Sequence, residues 1–262
     1  MKPFRYISWG CGLQSTVLVE MVCEGTLKAD AIFFADTRDE PHWVYETLGY
    51  WWLRSPVPIH IVTKGRLSDA MLLATSQGTR WASIPCWTLG CDGRAAPLKR
   101  QCTYDYKIEV IQKALRRILG YARGERCKHE AICMQGISFD EMDRCSASRV
   151  PWITNEWPLV DLGITRTDCR IFLEERNLPI PRKSSCRYCP YHSDRYWRDM
   201  KQNHPSEFEQ ACQTDEAIRN LTQAGVDKPC FIHRSLVPLR EAYFGEDQKE
   251  LFGRECSGHC GV

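Results

Sequence analysis

Residues Ser8 to Thr16 read Ser-Trp-Gly-Cys-Gly-Leu-Gln-Ser-Thr. Glycines 10 and 12 allow positive φ and a close approach of backbone to a ligand. Ser8, Ser15 and Thr16 add hydroxyl donors, with Gln14 among them. The stretch lies between a β-prone run, Phe4-Arg5-Tyr6-Ile7, and an apolar run from Val17 to Val22 that starts a helix. A strand, a glycine loop and a helix N-terminus together aim N–H groups and partial positive charge at an anion. There is no Gly-Lys-Ser/Thr ending and no Gly-x-Gly-x-x-Gly, so the loop suits a pyrophosphate better than a γ-phosphate clamp. The plain alternative is a Gly/Ser turn after an edge strand.

The cysteines are the second chemical signal. The chain has 15, an odd and high number for a protein without signs of export, which argues against a complete disulfide framework and for metal or thiol chemistry. Cys186-Arg187-Tyr188-Cys189-Pro190 places two thiols in a turn, where they can share a metal or an iron–sulfur cluster. No second Cys-x-x-Cys occurs, so further ligands must come from afar, with Cys102 and Cys169 as candidates. Cys102 precedes a helix, where a thiolate is favoured. A structural zinc is the plain alternative. Cys23, Cys133 and Cys230 sit in apolar or mixed runs and read as core. The last residues, Glu255-Cys256-Ser257-Gly258-His259-Cys260-Gly261-Val262, put two thiols and an imidazole on a glycine-bearing arm suited to carrying sulfur. An end with incidental cysteines is the plain reading.

Most charged side chains are solvated surface. Those at strand ends or beside cysteines stand apart: Arg38, Arg100, Lys107, Arg166 and Lys183. Asp140-Glu141, after Gly136-Ile137-Ser138, could hold Mg2+ through one or two carboxylates, or simply favour a helix start.

The elements that must position these groups alternate. Strands are expected at 4–8, 31–35, 59–62 and 131–134, and helices at 15–25, 41–54, 104–119, 166–177, 194–203 and 205–224. Strand–helix alternation implies an α/β fold, a doubly wound, mostly parallel sheet with helices on both faces. Ligands then bind beyond the carboxyl ends of the strands, where Ser8, Asp36 and Ser138 fall. Residues 64–103 lack clear periodicity and read as a substrate-facing lid. The expected division is 1–165 as a nucleotide-binding α/β domain, 166–244 as a helical, cysteine-bearing region and 245–262 as a flexible tail. The 262 residues, 43% hydrophobic, suffice for one large domain plus an appendage, and a net charge of +2 announces no bulk basic field. There is no apolar run of about 18 residues and no signal-peptide pattern, so a cytoplasmic protein without a membrane partner is expected.

Together these motifs resemble the PP-loop ATP pyrophosphatases, and more closely their phosphoadenosine-phosphosulfate reductase-like branch. The resemblance rests on Ser-x-Gly-x-Gly-x-Gln-Ser-Thr, Phe33-Phe34-Ala35-Asp36-Thr37, Arg100-Gln101-Cys102-Thr103 with Lys107, Gly136-Ile137-Ser138-x-Asp140-Glu141, and Lys183-Ser184-Ser185-Cys186-x-x-Cys189-Pro190. It implies that Ser8, Gly10, Gly12, Gln14, Ser15 and Thr16 hold the phosphates of ATP, with Asp36 beside the nucleotide or Mg2+. Arg100, Lys107, Gly136 and Ser138 also face the nucleotide, and Arg166 and Lys183 join Asp36 and the tail cysteines as catalytic candidates. It implies a 4Fe–4S cluster on Cys102, Cys186 and Cys189, with Cys169 the favoured fourth ligand, a tail cysteine the alternative, or one iron left open to hold a sulfide. The implied reaction adenylates a nucleic-acid oxygen and replaces it by sulfur, as in DNA phosphorothioation, with a cysteine desulfurase as donor and DNA the favoured acceptor. A homodimer stays open. The tail is also similar to that of sulfonucleotide reductases, whose cysteine attacks sulfur. A reductase using Cys256 is therefore a competing reading, as is tRNA thiolation.

Overall fold

The computed structural model describes residues 2–77, 84–221 and 226–245, without the side chains of 74–77. Five strands form one sheet: β1 (Phe4–Trp9), β2 (Ala31–Ala35), β3 (Ile59–Val62), β6 (Ala131–Gln135) and β7 (Ile153–Glu156). All neighbours are parallel and the order is β3-β2-β1-β6-β7. Ile7 of the central strand lies level with Ile32 on one side and Met134 on the other.

The two faces have different partners. Ile7, Ile32, Phe34 and Met134 join Val17, Leu18, Trp43 and Leu48 of α1 (Leu13–Cys23) and α2 (His42–Arg54) in the larger core. Tyr6, Phe33, Ala35, Cys133 and Ile153 pack against Val110, Ile111 and Leu115 of α4 (Glu109–Ile118). This is the doubly wound α/β arrangement expected from the alternation. The chain steps outward from β1 to β3 and returns on the other side of β1 to form β6. Strand order therefore reverses between β1 and β6, and such a reversal opens a crevice at the carboxyl ends.

The C-terminal elements close over α1. Every residue of α1 from Leu13 to Val22 is buried, and α6 (Arg166–Glu174) packs on it through Cys169 and Leu173. Trp197 of α7 (Asp194–Asn203), Phe208 of α8 (Pro205–Ala217) and Phe244 belong to the same core. The fully buried Asp215 accepts hydrogen bonds from the Ile232 and Leu239 N–H groups, at 2.7 and 3.0 Å, and so anchors the last described segment.

Several elements depart from the expectations. Residues 64–103 contain α3 (Leu67–Gln77), whose Leu67 and Met71 are core residues, and a hairpin of β4 (Trp87–Leu89) and β5 (Ala95–Pro97). The hairpin is tied down by the Trp87–Phe231 backbone pair and by Trp87 Nε1 donating to the Pro190 carbonyl. Residues 78–83 of the expected lid lie outside the described residues. The helix expected at 104–119 opens with a π-helical turn, Tyr104–Ile108. The helix expected to reach residue 224 stops at Ala217. Strand β7 and the short α5 (Pro158–Asp161) went unforeseen.

One contact fixes how β6 meets α1. A Cβ on Gly136 would stand 2.5 Å from the backbone N and Cα of Ser15. Gly136→Ala is expected to destabilise the protein by about 1–3 kcal/mol, since backbone cannot yield cheaply. Gly49→Ala, in α2 with nothing within 4 Å, should stabilise by about 0.5–1 kcal/mol. Urea unfolding midpoints of the two variants check the pair.

Candidate functional site

Three strand ends converge at the reversal. After β1 comes Gly10, then Cys11 at φ 57°, then Gly12 at φ −91° and ψ 167°, then α1. The left-handed residue is Cys11, and neither glycine of the loop has positive φ. The glycines serve close approach instead. A Cβ on Gly12 would lie 2.7 Å from Ser184 Oγ, and one on Gly10 would lie 3.7 Å from it.

The first turn of α1 is open. Its first intrahelical bond runs from Thr16 N–H to the Gly12 carbonyl. No described residue accepts from the N–H groups of Gly12, Leu13, Gln14 or Ser15, no side chain caps the helix, and the first turn carries no acid. Gln14 and Ser15 are buried. A helix start with unpaired N–H groups and the positive end of the helix dipole attracts an anionic acceptor.

The expected phosphate residues divide. Ser15 stays at the turn, its hydroxyl donating to the Gly12 carbonyl at 3.2 Å. Thr16 is spent in the core: it is fully buried and its hydroxyl accepts from Trp9 Nε1 at 3.0 Å. Ser8 lies within β1, level with Phe33 and Gln135, rather than in the loop. Asp36, just past β2, accepts from the Arg38 N–H and the Tyr45 hydroxyl, at 2.7 and 2.9 Å.

Across the crevice, Gln14 Nε2 donates to Glu141 Oε2 at 3.1 Å and to Ser138 Oγ at 3.5 Å. Arg166 reaches Gln14 Oε1 at 3.4 Å, and its N–H donates to Asp140 at 2.9 Å. Partial burial opposes the charge on Asp140, but hydrogen bonds from Ser138 and the Arg166 backbone outweigh it and lower the carboxyl's pKa. Glu141 also accepts from Arg144 at 2.8 Å. Both carboxylates are thus engaged by donors. Gln14, Gly136, Ser138 and Arg166 are brought together at the first turn of α1.

A cavity adjoins the loop. Cys102, Cys186 and Cys189 line it with Arg100, Lys107 and Ser185. The Cys-x-x-Cys turn is closed by Cys189 N–H donating to the Cys186 carbonyl, at 2.9 Å. His192 Nε2 lies 3.0 Å from the same carbonyl, so that nitrogen carries the proton, and its ring stacks on Tyr196. Burial first, and Lys183 second, lower the His192 pKa well below its usual value and keep the ring neutral. Lys183 Nζ donates to the Tyr191 carbonyl at 3.5 Å.

Glu40 was missed in the sequence, although it ends the acid-rich run Asp36-Thr37-Arg38-Asp39-Glu40. It is buried, with Oε1 3.3 Å from Lys107 Nζ, 3.2 Å from Thr37 Oγ1 and 3.7 Å from Cys186 Sγ. Its Oε2 has no hydrogen-bond partner among the described residues. Burial foremost, then Glu40, push the Cys186 thiol pKa well above its ordinary range, against Lys107 and a hydrogen bond from Thr37. The buried Cys11 thiol is raised by burial and then by the same Glu40, so the loop and the cavity share an electrostatic wall.

Cys169 does not join the cavity. It is fully buried in the core, where burial and then Asp140 raise its thiol pKa to about 12. Cys256 and Cys260 lie outside the described residues. Among the described residues, no three His, Cys, Asp or Glu side chains are close enough to hold one metal ion. A tetrahedral zinc needs its thiolates about 3.8 Å apart, from Zn–S bonds of about 2.3 Å, and fits poorly. A cluster spreads its thiolates over several irons, and three thiols from two chain segments suit that donor set. The void between them is about 30 Å³, so a cluster enters only if the thiol side chains swing outward.

No family model and no curated protein matches the chain. Among solved structures it is similar to a phosphoadenylyl-sulfate reductase from Candida auris, determined as a phosphate complex. The TM-score is 0.45 at 16% identity, covering 69% of this chain and 76% of that one.

The wall between loop and cavity rests on the Glu40–Lys107 pair. Lys107→Met removes the cation beside the buried Glu40 carboxylate, and Glu40→Gln removes the carboxylate beside Lys107, so each should destabilise by about 2–4 kcal/mol. The double variant should cost at least about 1 kcal/mol less than the sum. Chemical denaturation of the cycle checks this, and additive losses would show the two groups are uncoupled.

Proposed function

We propose that the chain is an ATP pyrophosphatase that transfers sulfur. It adenylates an oxygen of a nucleic acid, with DNA backbone phosphorothioation the favoured case, and then replaces that oxygen by sulfur. One observation carries the reading: an uncapped, buried helix start at the strand-order reversal shares a wall with a cavity of three thiols. The first half suits a nucleotide's phosphates and the second suits sulfur or iron–sulfur chemistry.

In this reaction the acceptor oxygen attacks the α-phosphorus, and the bond from that phosphorus to the α–β bridging oxygen breaks. The pyrophosphate leaves toward the N–H groups of Gly12 to Ser15, which stabilise its growing charge, a task the Arg166 guanidinium beside Gln14 shares. A persulfide sulfur then displaces AMP, leaving the acceptor joined to the carrier by a disulfide. A second thiol opens that bond, frees the thiolated product and forms a protein disulfide that a cellular dithiol reduces. Cys256 and Cys260 are assigned to carrying and resolving, and a cysteine desulfurase is the persulfide source. Cys102, Cys186 and Cys189 would hold a 4Fe–4S cluster, which when bound supplies an iron able to carry sulfide. Lys107 and Arg100 would offset the negative charge of such a group. Mg2+ would bind chiefly through the phosphates, with Asp36 at the end of β2 as a protein carboxylate.

The test supplies ATP, Mg2+, DNA and a persulfide-loaded desulfurase. Pyrophosphate should appear in step with sulfur in the nuclease digest, and Arg166→Ala should slow both by about a hundredfold. Sulfite released from a sulfonucleotide by a dithiol, with no pyrophosphate from ATP, would replace this reading by that of a reductase. ATP binding without either turnover would leave a nucleotide-binding interaction module.

A further inference from the structure

The cysteine-bearing segment does more than present thiols. Ser184 Oγ stands 2.7 Å from the Cβ position of Gly12 and 3.7 Å from that of Gly10. The hydroxyl therefore hangs over both glycines of the loop, and a side chain on Gly12 would collide with it. Ser184 is half-buried, and no described residue hydrogen-bonds this hydroxyl. Its backbone is held firmly on both sides. Trp43 Nε1 donates to the Lys183 carbonyl at 3.2 Å, Cys186 Sγ lies 3.3 Å from Thr37 Oγ1, and the Arg187 N–H donates to the Asp39 carbonyl at 3.0 Å. A free donor on a fixed backbone beside four open N–H groups is placed to extend one anion cradle.

We propose that Ser184 is a phosphate ligand of the nucleotide site, donating its hydroxyl to the phosphate group held by the first turn of α1. This rests on the reading of that turn as a phosphate site and deepens it. The cradle is completed from a segment nearly 170 residues away in sequence, one peptide removed from Ser185 and two from Cys186. Phosphate occupancy and the placement of the cysteine turn are then mechanically linked: an occupied cradle fixes Ser184, and Ser184 fixes the start of the Cys-x-x-Cys turn. It also gives Gly12 a reason beyond ligand approach, since alanine there would push the hydroxyl away.

The experiment is isothermal titration of the full chain with inorganic pyrophosphate and, separately, with ATP and Mg2+. Ser184→Ala should weaken both by about tenfold or more, the scale of one hydrogen bond to a charged group. Ser184→Cys, close in shape but a weak donor, should lose the same affinity, which guards against an effect of lost packing. Ser206→Ala, on the exposed side of α8 and away from the loop, should bind as wild type. Thermal melting of each variant within about 2 °C of wild type shows that the fold is intact. Wild-type affinity in both Ser184 variants would overturn the inference while leaving the loop as the phosphate site. A wild-type protein that binds neither ligand would instead overturn the phosphate reading itself.

Discussion

Everything at the site depends on a helix start that the protein does not finish. Helix α1 is buried along nearly its whole length, between the sheet and α6. Where such a helix start is shielded from water, unpaired N–H groups carry a cost that an acceptor removes. Two other helices of the chain solve the problem with their own side chains. Thr165 and Asp168 form a capping box on α6, and the Ser193 side chain caps α7. At α1 the cap residue is Gly12, which has no side chain to offer, and no acid stands in the first turn. Packing of Gly136 against Ser15 and of Ser184 against Gly12 leaves little room for a compensating side chain. The sequence thus maintains an anion-seeking turn at the place where strand order reverses.

The neighbouring wall is built from the end of β2. Asp39 is buried and binds the Ser68 N–H, the Ser68 hydroxyl and the Tyr188 hydroxyl, at 2.7, 3.0 and 2.7 Å. It joins α3, β2 and the Cys-x-x-Cys turn in one network. Glu40, next in sequence, pairs with Lys107 and stands beside Cys186. A buried pair of this kind contributes little net stability against an apolar replacement but makes the loss of either partner expensive. Its value here is positional. It sets the field felt by Cys11 in the loop and by Cys186 in the cavity.

The sheet was legible because its strands are short apolar runs and its helices begin where loops carry glycine or proline. Ala31 to Ala35 is apolar throughout and fully buried, as a central parallel strand should be. Strand β7 was hidden because Ile153-Thr154-Asn155-Glu156 is a polar edge strand whose one strongly buried side chain is Ile153. The hairpin had a signal, Asp92-Gly93, with Gly93 at φ 75°, and α3 had one in the pairing of Leu67 with Met71. The motifs also picked out Gln14, Ser138 and Arg166, which the fold gathers at the first turn of α1, and Lys107 with three cysteines, which line one cavity. Two others lie apart from these groups: the Thr16 hydroxyl binds Trp9, and Cys169 on α6 sits in the core. Glu40, Cys11 and Ser184 were out of reach, because their roles arise only when the ends of β1 and β2 meet the cysteine turn.

The most direct measurement is a crystal structure of the protein with Mg2+ and an ATP analogue whose α–β bridge is a methylene. The account predicts phosphate oxygens about 2.9 Å from at least two of the N–H groups of Gly12, Leu13, Gln14 and Ser15. An analogue bound elsewhere, or a protein carboxylate seated on that turn in its place, would contradict it.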